Sequence, residues 1–270
     1  MSSNTDTVKI WGAKTARSLR PIWMAEELEI DYELLPIGPR TGETSSEEYT
    51  KLNPKQKIPF LEHGGFKLSE SLAMCKYLQN TFPSKNLFIP QTPKDLARED
   101  EWCSFVYGEL DETCLYVMRR HYDLTDIYGA APNVVKSCRE YLERQFRVIE
   151  PHLEKKDSVL DQGFGLADIF LMSCLDWAVY YEFDLPKNIT IYRDTISERK
   201  AFKKAMEENL AEIDLIISNT DRPTFTNTIE ELERSGKMLT KVQRVFAANV
   251  CRCAQSVSYT HLTLPTSDLV

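Results

Sequence analysis

The chain is poor in histidine, carries a deficit of positive charge and has no long apolar run. Each shortage closes a class of function. Its 270 residues hold four histidines, His63, His121, His152 and His261. They lie far apart and without ligand spacing, so no zinc or two-metal centre is expected. Lys and Arg number 33 against 41 Asp and Glu, a formal charge of −8, which argues against a general nucleic-acid binder. No apolar stretch approaches the roughly 20 residues that span a bilayer. The start, Met1-Ser2-Ser3-Asn4-Thr5-Asp6, lacks a basic-then-apolar leader. The seven cysteines, Cys75, Cys103, Cys114, Cys138, Cys174, Cys251 and Cys253, are odd in number and scattered. With no leader they read as reduced thiols of a cytoplasmic protein. None precedes Cys75.

What is present divides into two patterns. Val8–Trp11 reads as a strand. Arg17 to Leu28 reads as a helix, with Leu19, Ile22, Trp23 and Leu28 at helical spacing and Pro21 in its opening turn. A strand over Tyr32–Ile37, a polar loop over Gly38–Ser46 and a short helix over Glu47–Leu52 follow. Two more strands and a helix beginning at Ser71 complete an α/β unit of thioredoxin type over residues 7–83. Residues 84–92 form a proline-bounded linker. Residues 93–209 read as all-helical, with helices over Asp95–His121, Pro132–Leu153, Leu166–Phe183 and Glu198–Asn209. The third is almost wholly apolar and therefore central. The expected fold is an α/β thioredoxin-like N-terminal domain followed by an all-α helical-bundle C-terminal domain.

The stretch richest in chemistry is Asn53-Pro54-Lys55-Gln56-Lys57-Ile58-Pro59-Phe60-Leu61, followed by Leu68-Ser69-Glu70-Ser71. A cis Ile58-Pro59 bond turns the chain sharply and leaves the Ile58 backbone to pair with an extended peptide; a trans proline at a strand edge is the plain alternative. His63-Gly64-Gly65 supplies a hairpin turn. The helix opening at Ser71 offers unpaired N–H groups and a positive dipole end to an anion. The Ser71 hydroxyl adds a donor for a carboxylate, and Glu70 suits an ammonium. One ligand end carrying both groups, an α-amino acid, fits that pair.

In this order, Ile58-Pro59 and Glu70-Ser71 closely resemble the glutathione-binding half of cytosolic glutathione transferases. The resemblance runs from Val8-Lys9-Ile10-Trp11 to about Asn209. It implies that Ile58 pairs its backbone with the cysteinyl part of glutathione, that Glu70 and Ser71 hold the γ-glutamyl amine and carboxylate, and that Lys57 lies within reach of the ligand beside Pro59. It also implies glutathione as cosubstrate, no metal, and a homodimer. The family takes its thiolate-stabilising donor from the turn Gly12-Ala13-Lys14-Thr15-Ala16-Arg17-Ser18. Thr15 falls where the serine-type classes place their serine, with Ser18 and Arg17 as alternatives, and with simple helix capping by Thr15 as the rival role. The lack of a cysteine before Cys75 argues against the classes that use one for disulfide exchange. Tyr107, Tyr116, Arg119 and Arg120 are expected to wall the second substrate, while Trp177 reads as core packing. Arg119-Arg120-His121 either attracts acidic electrophiles or is simply solvated. Family members open the buried helix on Ser or Thr, two residues, then Asp. Here Gly165-Leu166-Ala167-Asp168 keeps the aspartate and lacks the hydroxyl, a change read as drift. The implied activity is transfer of glutathione to small electrophiles, with detoxification as the role. The rivals are a glutathione-binding module without turnover and a glutathione-dependent isomerase or dehalogenase on the same scaffold.

Beyond Asn209 the resemblance fades. Over residues 210–255, Pro223-Thr224-Phe225-Thr226-Asn227-Thr228-Ile229 and Leu232-Glu233-Arg234-Ser235-Gly236 resemble the N-terminal helical segment of oligopeptidase A-type metallopeptidases. The His-Glu-x-x-His of that family is absent, so no peptidase activity is implied. Residues 256–270 resemble translated adapter sequence and are set aside from fold reasoning.

Overall fold

The computed structural model describes residues 7–210. Both tail segments read from the sequence, from residue 211 onward, lie outside the described residues. Four short strands form one mixed sheet in the order β2-β1-β3-β4. In chain order they are β1 (Val8–Trp11), β2 (Tyr32–Leu35), β3 (Phe60–His63) and β4 (Phe66–Ser69). β1 runs parallel to β2, with Ile10 opposite Leu34, and antiparallel to β3, with Ile10 opposite Leu61. Burial alternates along β1: Val8 and Ile10 are inside, Lys9 and Trp11 half-exposed, as the two-residue period of a strand requires.

Helix α1 (Ala16–Glu27) connects β1 to β2 and buries Leu19, Ile22, Trp23 and Met24. It starts one residue before the expected Arg17. Pro21 therefore sits inside the second turn rather than the first, where its ring gives up the bond to the Arg17 carbonyl. α2 (Glu47–Leu52) is capped by the Ser46 side chain, and α3 (Ser71–Thr81) follows the β3–β4 hairpin. Mixed sheet plus helices make the thioredoxin-like half.

The second half is all helical. α4 (Pro93–Phe105) is capped by Thr92. The single helix expected over Asp95–His121 is not α-helical throughout. After α4 the chain widens to π winding over Val106–Leu115, returns for one turn in α5 (Tyr116–Met118), and widens again over Arg119–Asp123. Wider winding rotates the side chains that follow it onto new faces. Asp111, set between the apolar Leu110 and Leu115, ends fully buried. α6 (Thr125–Tyr128), α7 (Pro132–His152), α8 (Leu166–Tyr180), α9 (Lys187–Ser197) and α10 (Lys200–Leu210) complete the described chain. α8 ends three residues before the expected Phe183, and every residue from Leu166 to Leu175 is buried. α9 was missed in the sequence, although its buried Ile189, Tyr192, Arg193 and Ile196 recur at helical spacing.

The N-terminus of α8 gives the missing hydroxyl a physical reason. A Cβ on Gly165 would lie 2.9 Å from the Phe88 carbonyl oxygen, because the linker strand bridges to this turn and Phe88 N–H bonds Phe164 O at 2.7 Å. Asp168 still takes the Gly165 N–H (2.8 Å), and also the Val159 N–H and the Tyr192 hydroxyl, each at 2.7 Å. Burial pushes its carboxyl up to about 6, while those three donors pull it back. It is therefore still ionised at neutral pH.

The five cysteines among the described residues are free and buried. Among the described residues no helix is long and apolar enough to cross a membrane, and no cluster of His, Cys, Asp and Glu suits a metal ion.

Candidate functional site

Three pieces of chain meet at the C-terminal end of β1. The first is the turn into α1. Gly12 holds φ 111°, and a Cβ there would meet Ile58 Cβ at 2.6 Å. Only glycine lets the turn lie against that residue. Thr15 caps α1 from extended backbone (φ −135°, ψ 155°), and its Oγ1 accepts the Ser18 N–H at 2.9 Å. In return Ser18 Oγ accepts the Thr15 N–H at 3.1 Å, a capping box built from two hydroxyls. The Ser18 proton has acceptors at Asn209 Oδ1 (2.9 Å) and Thr15 O (3.0 Å). Ser18 is fully buried and presents nothing to solvent. Thr15 is half-buried. Its proton is left for Ser18 Oγ, 2.8 Å away, or for a ligand. Arg17, the other alternative, is committed to Asp111 and Glu112 at 2.6 and 2.8 Å.

The second piece is the loop into β3. The Ile58-Pro59 peptide bond is cis. The Lys57 carbonyl is held by the Tyr49 hydroxyl (2.7 Å) and Asn53 Nδ2 (2.8 Å), which fixes the approach to Ile58. The Lys57 side chain is exposed.

The third piece is the start of α3. Glu70 caps it with φ 73° and ψ 116°, a left-handed conformation that costs a non-glycine residue on the order of 1–3 kcal/mol. Its exposed carboxylate pairs with Lys55 Nζ at 2.7 Å. Ser71, the first helical residue, is buried, and Arg20 Nη1 donates to its Oγ at 3.4 Å. That donation leaves the Ser71 proton available to an acceptor in the site.

Arg20 ties the pieces together, and the sequence reading missed it. It is fully buried. It donates to Ser173 Oγ (2.8 Å) on α8 and to Asp111 Oδ2 (2.6 Å) on the π-wound segment, and its guanidinium lies 4.3 Å from the Phe170 ring centroid. Asp111 binds both Arg17 and Arg20. Burial opposes its charge, but the two guanidiniums outweigh burial and hold its carboxyl below the usual range. Removing one partner of such a buried set costs about 3–5 kcal/mol, whereas the intact set is close to neutral against an apolar core. Its value lies in holding α1, α3, α8 and the π-wound segment in one arrangement. Asn209, near the end of α10, is the second missed residue. It clamps the Thr15 turn by backbone, with Lys14 N–H on its carbonyl at 2.9 Å, and by side chain, through Ser18 and through Nδ2 to Thr15 O at 3.3 Å.

The expected wall residues fall on the same side as Arg17. The Tyr116 ring lies between the guanidiniums of Arg17 (4.2 Å) and Arg120 (4.6 Å). The Tyr107 hydroxyl donates to Glu112 at 3.1 Å. Arg119 is half-buried and Arg120 exposed. Trp177 packs partly against the core.

Two family models match the chain. One, for the N-terminal domain of glutathione S-transferases, covers residues 6–80. The other, for their C-terminal domain, covers residues 113–209. Glutathione S-transferase theta-1 of Bos taurus is 28% identical over 148 residues, which is 54% of this chain and 62% of that protein. The chain thus spans less than two thirds of that relative's length. A glutathione S-transferase of Hyoscyamus muticus is 25% identical over 200 residues, 70% of this chain and 92% of that protein. Among solved structures, the glutathione transferase URE2P8 of Phanerochaete chrysosporium, with oxidized glutathione, aligns with a TM-score of 0.68 at 22% identity. It covers 77% of this chain and 97% of that one. At that identity the likeness speaks for the fold.

Proposed function

We propose that this chain, which belongs to the glutathione S-transferase family by both of its domains, binds glutathione, stabilises its thiolate and transfers it to small electrophiles. The observation that carries the proposal is the convergence of three segments. Gly12 brings the Thr15 turn against Ile58, and Arg20 bridges the helix behind Thr15 to Ser71. A donor for sulfur, a backbone edge for a peptide and a donor for a carboxylate thereby lie around one place.

The roles follow from the local chemistry. The Ile58 backbone pairs with the cysteinyl residue of glutathione. Ser71, already accepting from Arg20, donates to the γ-glutamyl carboxylate. Glu70 takes the γ-glutamyl ammonium in competition with Lys55, and Lys57 reaches the ligand from the exposed side. Thr15 turns its hydroxyl proton from Ser18 to the sulfur, and that hydrogen bond favours the charged form. A free thiol near pKa 8.5 is only a few per cent ionised at pH 7, and each unit of depression is about 1.4 kcal/mol. The thiolate then attacks an electrophilic carbon, the new C–S bond forms, and the leaving group departs with its electron pair. Tyr107, Tyr116, Arg119 and Arg120 wall the second substrate. The protein acts as a homodimer in the cytoplasm.

One observation favours a second reading, a glutathione-binding module without turnover: the Thr15 hydroxyl is engaged in a capping box. Thr15→Ala separates the two. Under the transferase reading it abolishes the depressed thiol pKa and lowers turnover by about tenfold or more. Under the binding-module reading it changes only affinity and helix stability.

A further inference from the structure

Cations and aromatic rings alternate along one side of the site. The row starts at Arg17, two residues from Thr15, and passes through Tyr116 to Arg120. From there it reaches Tyr128 (5.5 Å) and ends on Arg40 (5.9 Å) in the loop after β2. Arg40 Nη2 also lies 3.5 Å from the Tyr128 hydroxyl. Arg119, next in sequence to Arg120, is half-buried. Only Arg17 is neutralised, by Asp111 and Glu112. Arg40, Arg119 and Arg120 form no ion pair among the described residues. Asp123, whose charge acts on Arg119, accepts instead from the Tyr181 hydroxyl at 2.6 Å. Burial, and then the facing Arg40 charge, hold the Arg119 guanidinium below its ordinary value. The Arg40 hydrogen bond, with the Arg40, Lys57 and Arg120 charges, likewise lowers the Tyr128 hydroxyl.

A guanidinium kept partly out of water with the Arg40 charge acting on it, in a protein of charge −8, is a cost unless an anion completes it. We propose that the electrophile this site takes is an aromatic acid, its ring lying against Tyr128 and at the edge of Tyr116, whose faces Arg17 and Arg120 cover, and its anionic group held by Arg40, Arg119 and Arg120. The proposal rests on the transferase reading and narrows its substrate class. Guanidiniums suit a carboxylate because they offer paired donors to two oxygens. The flanking rings suit a flat ligand. The glycyl carboxylate of glutathione is the other anion of the same chemistry. The alternation of cations with ring faces favours an acid attached to an aromatic body. In the reaction, the glutathione sulfur bonds to the ring carbon that bears the halide, and the halide leaves with the bonding pair. The arginines take no part in that exchange; they orient and concentrate the acid.

The test compares a para-carboxylated chlorodinitrobenzene with its uncharged carboxamide, each rate divided by its uncatalysed rate with glutathione. The wild-type protein is expected to favour the acid by about tenfold or more in kcat/KM, the scale of a charge-assisted hydrogen bond. Arg119→Gln, Arg120→Gln and the loop variant Arg40→Gln each bring the acid-to-amide ratio down several-fold, and Arg119→Lys restores part of it. A wild-type ratio near one, or a ratio that no variant changes, overturns the inference. So does a rise in the KM for glutathione with the ratio intact, because the anion bound is then glutathione's own. Thiolate absorbance of bound glutathione, read in parallel, separates the levels of failure. Thiolate and turnover without acid preference sink this inference alone; no thiolate and no turnover of either compound sink the transferase reading with it.

Discussion

Asn209 reaches Thr15 across 194 residues of chain, and its three contacts define what one residue contributes to the site. Its side chain accepts from Ser18 and donates to the Thr15 carbonyl, while its backbone holds Lys14. Ser18 in turn sets where the Thr15 proton points. Asn209→Ala leaves the buried Ser18 hydroxyl without its acceptor on α10. The expected cost is about 1–3 kcal/mol of stability, read from the urea midpoint. The pH–rate profile is expected to shift upward in pH, since the Thr15 turn loses the side-chain clamp that holds it in place. Asn209→Asp keeps an acceptor for Ser18 but sets an oxygen against the Thr15 carbonyl, so it is expected to restore little of the stability. An alanine variant with an unmoved profile removes Asn209 from the site and leaves it a structural clamp. The place of Thr15 in the turn that caps α1 was legible in the sequence because a hydroxyl ahead of an apolar helix is a local pattern. Arg20, Asp111 and Asn209 were not, because their side-chain partners stand 51 to 194 residues away. No local periodicity pairs a charge within an apolar stripe with a distant countercharge.

At the scale of elements, helix ends and helix pairs carry the argument. General capping preference holds that Ser at an N-cap is as good as or better than Gly, so Gly165→Ser looks harmless. The Phe88 carbonyl 2.9 Å from the new Cβ reverses that expectation. The variant is predicted to lose about 1–3 kcal/mol, the usual range for forcing extra atoms into packed surroundings. A variant as stable as the wild type contradicts the contact. α3 and α4 meet through Gln79 Nε2 and Glu99 Oε1 at 2.9 Å, with Gln79 Oε1 and Glu99 Oε2 both buried and lacking partners. A protonated Glu99 donates Oε2–H to Gln79 Oε1 and satisfies both atoms at once. Burial raises the Glu99 carboxyl, in keeping with that form. The unfolded chain releases this proton near pH 4.3 while the folded protein retains it. Stability from this pair is therefore full below that pH and declines as pH rises toward the raised folded value. Glu99→Gln keeps both hydrogen bonds without a proton to lose. It is expected to flatten that decline and to be the more stable at pH 7, measured by urea unfolding across the range. The short strands and the buried α8 were plain from composition and period. The π-wound stretches were not, because no residue pattern along 106–123 sets them apart from ordinary helical winding.

At the scale of the molecule, the two halves meet over the helix that carries Thr15. α1 packs against α3 of its own half and against α8 and α10 of the other. Glu27 near its end takes both Arg199 Nε and Nη2 at 2.7 Å, and Arg17 and Arg20 bind Asp111. The architecture was legible as a whole: the strands around Ile58-Pro59 and Glu70-Ser71 marked the thioredoxin-like half, and helical periods marked the rest. How the halves lock was invisible, since it depends on charges paired through space. The central claim is that this assembly makes glutathione a thiolate near neutral pH. Its most direct test is ultraviolet titration of the glutathione thiolate bound to the full protein. The account predicts a bound thiol that ionises well below the free value of about 8.5, and a Thr15→Ala protein in which it returns toward that value. A bound thiol that titrates like free glutathione in the wild-type protein would contradict the account.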